Sequence, residues 1–88
     1  MSRTRLEDRH IKRAFDEIRA AFNVKMRSKG EHALCSTHEC LGVTSEEFDE
    51  LAQAVKYNDL ELFEEELIDV GVCVILSLAS KYSDSLEW

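Results

Sequence analysis

Ile11, Phe15, Ile18 and Phe22 follow one another at steps of four, three and four residues, with Ala14 and Ala21 beside them. Side chains at that spacing share one face of an α-helix, so the pattern predicts an amphipathic helix over about 5–27. Arg9, Lys12, Arg13, Asp16 and Arg19 fall off or beside the stripe, and Ser28-Lys29-Gly30 ends it. Gly30 is available there for a left-handed cap. Leu41, Phe48, Leu51 and Val55 supply the apolar face of a second helix over about 36–57, with Ser36 or Thr37 as its cap. A later start is the alternative, since Thr44 or Ser45 before Glu46-Glu47 also resembles a cap and Gly42 could be a break. One interior glycine costs only about 1 kcal/mol, so the continuous helix is preferred.

A third helix is predicted over about 59–81, after the short connection at Asn58-Asp59. From Leu67 to Ala79 it is apolar nearly all round, which requires enclosure on most sides. Three helices of one small chain cannot easily provide it. The expected remedy is self-association, a homodimer or homotetramer whose four-helix bundles place this helix at the centre.

Composition agrees with an all-α reading. The 88 residues include no proline and three glycines, and 44% are apolar. Residues 1–88 are expected to form one domain, near the size at which a single core is marginal. The net charge of −7 disfavours binding nucleic acid through its phosphates. Charge is unevenly distributed. Residues 1–30 carry nine Lys/Arg against four Asp/Glu, and residues 31–88 carry two against fourteen, a net of +5 and −12. Either the basic helix packs beside acidic ones, or a site offers both cations for phosphate and carboxylates for Mg²⁺. Val70–Ala79 is about half the ~20 apolar residues that span a bilayer, so a buried helix is expected and no membrane anchor. The polar, basic start Met1-Ser2-Arg3-Thr4-Arg5 does not resemble a secretory leader. Cys35, Cys40 and Cys73 are accordingly expected as reduced thiols of a cytoplasmic protein.

Two carboxylate pairs carry the chemistry. Glu47 and Glu50 are three apart on the second helix, preceded by Glu46, and Glu66 and Asp69 are three apart on the third. Asp69 stands at the edge of Val70-Gly71-Val72-Cys73-Val74-Ile75-Leu76, where an ionised carboxylate is costly unless paired or bound to a metal. Glu50 lies eight residues before Asn58 and Glu66 eight after, so an antiparallel hairpin sets both pairs at one height. Four like charges at one point need counter-ions. Hard divalent cations with oxygen ligands are the usual answer, and Mg²⁺ keeps waters and a substrate's phosphates as its remaining ligands. Phosphate-ester chemistry is the expectation, with a water deprotonated by a free carboxylate such as Glu46 or Glu47.

The pattern Glu46-Glu47-x-x-Glu50, fifteen residues, then Glu66-x-x-Asp69-Val70 resembles the MazG-like all-α nucleoside triphosphate pyrophosphohydrolases, in particular short, phage- or mobile-element-type members. The likeness covers roughly residues 33–82. It implies an obligate dimer or tetramer of four-helix bundles, with Mg²⁺ held by Glu47, Glu50, Glu66 and Asp69. It also implies hydrolysis of a (deoxy)nucleoside triphosphate to the monophosphate and pyrophosphate, with Mn²⁺ as a substitute metal. Family members usually carry further basic residues beyond the second motif, where this sequence has Ser80 to Trp88. Lys81, or basic residues of the first helix from a neighbouring chain, are the candidates for phosphate contact. The rival expectation is a non-catalytic oligomeric helical module, binding or regulatory, that retains the bundle.

Other features weigh less. His32, Cys35, His38 and Cys40 are zinc-ligand types, but their spacing is no standard finger, and a helix from Ser36 turns His38 and Cys40 to different faces. Cys35 and Cys40 are expected as small apolar fillers, and Phe15, Phe22, Phe48 and Phe63 as core. Tyr57 and Tyr82 near helix ends favour packing over stacking on a nucleobase.

Overall fold

Ser36 fixes the start of the second helix. Its hydroxyl accepts from Glu39 N at 3.1 Å, and the Glu39 carboxylate returns to accept from Cys35 N at 2.7 Å. The first bond satisfies a donor that the helix end leaves free, and the second ties the residue before the cap to the first turn. The computed structural model describes residues 2–88, which form α1 (Asp8–Lys29), α2 (Thr37–Lys56) and α3 (Leu60–Tyr82). Helix α2 runs through Gly42 without interruption. At the α2–α3 turn Asn58 takes φ +54°, and Asp59 caps α3 by accepting from Leu62 N at 3.0 Å.

Helix α1 departs most from the expected bounds. It begins at Asp8 rather than near residue 5, because Glu7 holds an extended conformation at the cap. It ends two residues late, with Arg27 and Lys29 in a last turn whose partial negative charge favours them. Gly30 has the expected positive φ of 82°, but ψ is 161°, so the chain leaves extended instead of forming a left-handed cap. A Cβ there would meet the His32 ring at 3.2 Å.

Helix α3 packs against both α2 and α1, while α1 and α2 do not pack against each other. Ala54, Val72, Cys73, Leu76 and Ser80 are the buried residues. Ser80 ties the α1–α2 connection to α3, accepting from Leu34 N at 2.9 Å and donating to Leu76 O at 2.7 Å. The C-terminal residues return to the same place. Glu87 donates its N–H to Cys35 O and accepts from Thr37 N, an isolated parallel bridge at Ser36.

This core leaves much apolar surface uncovered. Of the four phenylalanines expected inside, Phe22 and Phe63 are half-buried, whereas Phe15 and Phe48 are 72% and 59% exposed. Leu67, Val74, Ile75 and Leu78 of α3 are exposed as well. Two helices flank α3 and its remaining face meets solvent. The accessible surface is 7403 Å², against about 5,300 Å² for a folded monomer of this mass. The radius of gyration is 14.7 Å, against about 12 Å for a compact chain of this length. No helix among the described residues is long and apolar enough to cross a membrane.

Candidate metal centre

The turn at Asn58 decides which carboxylates meet. Glu47 lies eleven residues before it and Asp69 eleven after, with Glu50 and Glu66 nested inside them. In the antiparallel α2–α3 hairpin these positions face one another. Glu47, Glu66 and Asp69 each offer a carboxylate oxygen, and the three oxygens lie within 4.8 Å of one another. Among the described residues this is the only such group of three or more His, Cys, Asp or Glu. His32, Cys35, His38 and Cys40 form no comparable cluster.

Glu50 stands beside the trio rather than in it. It is exposed, yet close enough to raise the carboxyls of both Glu47 and Glu66. Three of the four expected ligands thus converge directly, and the fourth flanks them. Glu46 is exposed and outside the cluster, about 100° around α2 from Glu47. Lys81 lies twelve residues beyond Asp69 on α3, about 18 Å along the axis. It borders a groove with Thr37, Leu41, Val74 and Leu86, so a single chain does not bring it to the carboxylates.

The electrostatics are those of crowded, partly desolvated carboxylates. Glu47 Oε2 and Glu66 Oε2 are shielded from solvent and have no hydrogen-bond partner. The Glu66 carboxyl is pushed up to about 7, first by lost solvation, then by the hydrogen bond and charge of Glu50 and the charges of Asp69 and Glu47. Glu47 is raised for the same reasons, lost solvation leading. No Lys, Arg or His lies within ion-pair distance of these four carboxylates among the described residues. Shielded oxygens without donors are what a hard cation satisfies, and an all-oxygen carboxylate set suits Mg²⁺ or Mn²⁺ better than a soft metal. The residues present fit such an ion.

One nearby cation offsets part of this charge. Lys25 of α1 is half-buried and opposes the rise at Glu47. It had a legible signal. The stripe Ile11, Phe15, Ile18, Phe22 continues three residues later at Lys25, which puts a cation on the apolar face of α1. Burial also pushes the Cys73 thiol up, against the pull of Lys25 and Lys29. No protein-family model, curated protein or solved structure matches this chain.

Proposed function

We propose that the chain is a Mg²⁺-dependent hydrolase of (deoxy)nucleoside triphosphates, releasing the monophosphate and pyrophosphate, and that it works as a homodimer or dimer of dimers. The observation that carries the metal reading is the pair of shielded, unpartnered Oε2 atoms of Glu47 and Glu66, beside Asp69. The MazG-like resemblance of Glu47-x-x-Glu50 and Glu66-x-x-Asp69 supplies the reaction class. When bound, Mg²⁺ would neutralise substrate phosphates and lower the pKa of a water, with Mn²⁺ an adequate replacement.

The remaining chemistry belongs to the chain's own residues. Glu47, Glu66 and Asp69 would hold the ion, and Glu50, beside Glu47 and Glu66, would help to orient them. Glu66 gives up a proton near neutrality, so it can change from a neutral acid to a ligand without leaving its place. Glu46, exposed and one residue before Glu47 but outside the cluster, or Glu47 itself would accept the proton of the attacking water. The water oxygen then bonds to the α-phosphorus, the bond to the β-phosphate bridging oxygen breaks, and pyrophosphate leaves.

The surface argues for assembly. About 2,100 Å² per chain exceeds what a folded monomer exposes, part of it from residues 2–7, which precede α1. Paired across two copies, that area falls in the range of obligate interfaces. A face made of Val74, Ile75 and Leu78 is the part of α3 that a second copy would cover. The direct test is incubation of pure protein with Mg²⁺ and a panel of nucleoside triphosphates, assaying monophosphate and pyrophosphate. Equimolar release of both supports the reading, and release of inorganic phosphate alone, or of nothing, refutes it.

A further inference from the structure

A cavity of 130 Å³ lies one helical turn from the carboxylates, bordered by Lys25, Lys29 and His32, with Val43 and Cys73 among its walls. Val43 is four residues before Glu47 on α2, and Cys73 is four after Asp69 on α3. Residues four apart share a helix face and are separated by about 6 Å along the axis. The cavity therefore adjoins the three carboxylates on the same seam, and Lys25, which lines it, is near enough for its charge to act on Glu47.

Charge makes this location unusual. The chain has eighteen acidic residues against eleven Lys and Arg. Even so, no carboxylate lies within 4.0 Å of Lys25 or Lys29 among the described residues. His32 is held beside them by the chain's exit from α1, where its ring lies against Gly30. The other walls are apolar, including Met26, Leu34 and Leu76, which strengthens any charge–charge attraction inside. The C-terminal end of α1 opposes an anion with roughly half an elementary charge. Two lysines carry four times that.

We propose that the Lys25–Lys29–His32 cavity is an oxyanion subsite that takes a phosphate group of a polyphosphate whose metal-bound portion rests on Glu47, Glu66 and Asp69. The inference builds on the proposed function and assigns phosphate recognition to α1 of the same chain instead of Lys81 or a neighbour. It makes the charge asymmetry functional: the basic helix supplies the anion half of the site and the acidic hairpin the cation half.

The test titrates inorganic pyrophosphate into the full chain by calorimetry at saturating Mg²⁺, and Mg²⁺ alone in a separate arm. Wild type is compared with Lys29→Gln, Lys25→Gln, the double variant and Lys29→Arg. Pyrophosphate affinity should fall at least tenfold in each Gln variant and recover in Lys29→Arg, while binding of Mg²⁺ alone is not weakened. Pyrophosphate affinity within twofold of wild type in the double variant, with Mg²⁺ binding intact, overturns the subsite and leaves the metal reading standing. Failure of wild type to bind Mg²⁺ defeats the metal reading instead. A third arm, inorganic phosphate in EDTA at low salt, then decides the subsite: lysine-dependent binding upholds it, and none overturns it.

Discussion

Glu47 on α2 and Glu66 on α3 hold carboxylate oxygens within 4.8 Å of each other, and each keeps a shielded Oε2 that hydrogen-bonds to nothing. Two such groups on facing helices repel at neutral pH, and the loss of solvent around them makes the repulsion costly. The hairpin holds them together through the Asp59 cap, the turn at Asn58 and the burial of Ala54, Val72 and Leu76. Stability of the fold is thus spent on holding these carboxylates together.

Asp69→Asn and Glu50→Gln should differ in degree. Asp69 is one of the three converging carboxylates and has no ion-pair partner, so the Asn variant should be at least as stable as wild type without metal. Its Mg²⁺ binding, read by calorimetry, should be lost. Glu50 flanks the trio, and replacing an orienting neighbour weakens metal binding by roughly 10–100-fold. Were Asp69 instead tied to a buried cation, Asn would destabilise the metal-free protein by about 3 kcal/mol. Urea denaturation in EDTA separates the two cases by the sign of the change.

Much of this was legible in the sequence, and the misses have specific causes. The three-four spacing of Ile11, Phe15, Ile18 and Phe22 and the caps at Ser36 and Asp59 are local signals, and the helices follow them. Equal distances from Asn58 placed Glu47 opposite Asp69 and Glu50 opposite Glu66. Burial was less legible. Phe15 and Phe48 sit in apolar registers yet are exposed, because a register tells which face is apolar and not what covers it. Ser28-Lys29-Gly30 marked the end of α1, but not the extended ψ with which the chain leaves Gly30.

Assembly should fail together with folding in Ile75→Asp. Ile75 is 38% exposed on α3. A carboxylate there would be desolvated in the oligomer and tolerated only in a monomer, whose core of Ala54, Val72, Cys73 and Leu76 is small. Sedimentation of wild type at micromolar concentration should give a dimer or larger species, and the variant should be monomeric with markedly reduced helicity. A stable wild-type monomer would falsify the assembly.

Gly71 sets how closely α1 approaches α3. A Cβ on it would come 2.8 Å from Ile18 Cδ1 and 3.2 Å from Cγ1. Ile18 is β-branched and stiff, so relief needs a shift of α1 itself. Overpacking of this kind costs about 1–3 kcal/mol, against a helix-propensity gain of about 1 kcal/mol for Gly→Ala. Gly71→Ala should therefore lose up to ~2 kcal/mol. Gly42→Ala meets nothing within 4 Å and should gain about 1 kcal/mol. Thermal melts of the two variants, at equal protein concentration, should move in opposite directions.

The pH dependence of stability should identify Glu66 as the strained group. Its carboxyl titrates near 7 in the folded chain, from an ordinary 4.5. Between those values the native state keeps a proton that the unfolded state has released. Stability of the metal-free protein must then fall as pH rises from about 4.5 to about 7 and level off above, with Glu47 contributing in the same direction. Glu66→Gln removes the proton exchange at that position. The variant should be the more stable protein at pH 8, and its midpoint should vary less with pH. Mg²⁺ acts against the proton, so its affinity should rise with pH, by up to about tenfold per unit below 7 if one proton is displaced. Urea midpoints at pH 5, 6, 7 and 8, in EDTA and in Mg²⁺, provide both readings. A wild-type midpoint in EDTA that climbs steadily from pH 5 to pH 8 would be inconsistent with a destabilised Glu66 carboxylate. The assigned site would then lose its electrostatic basis.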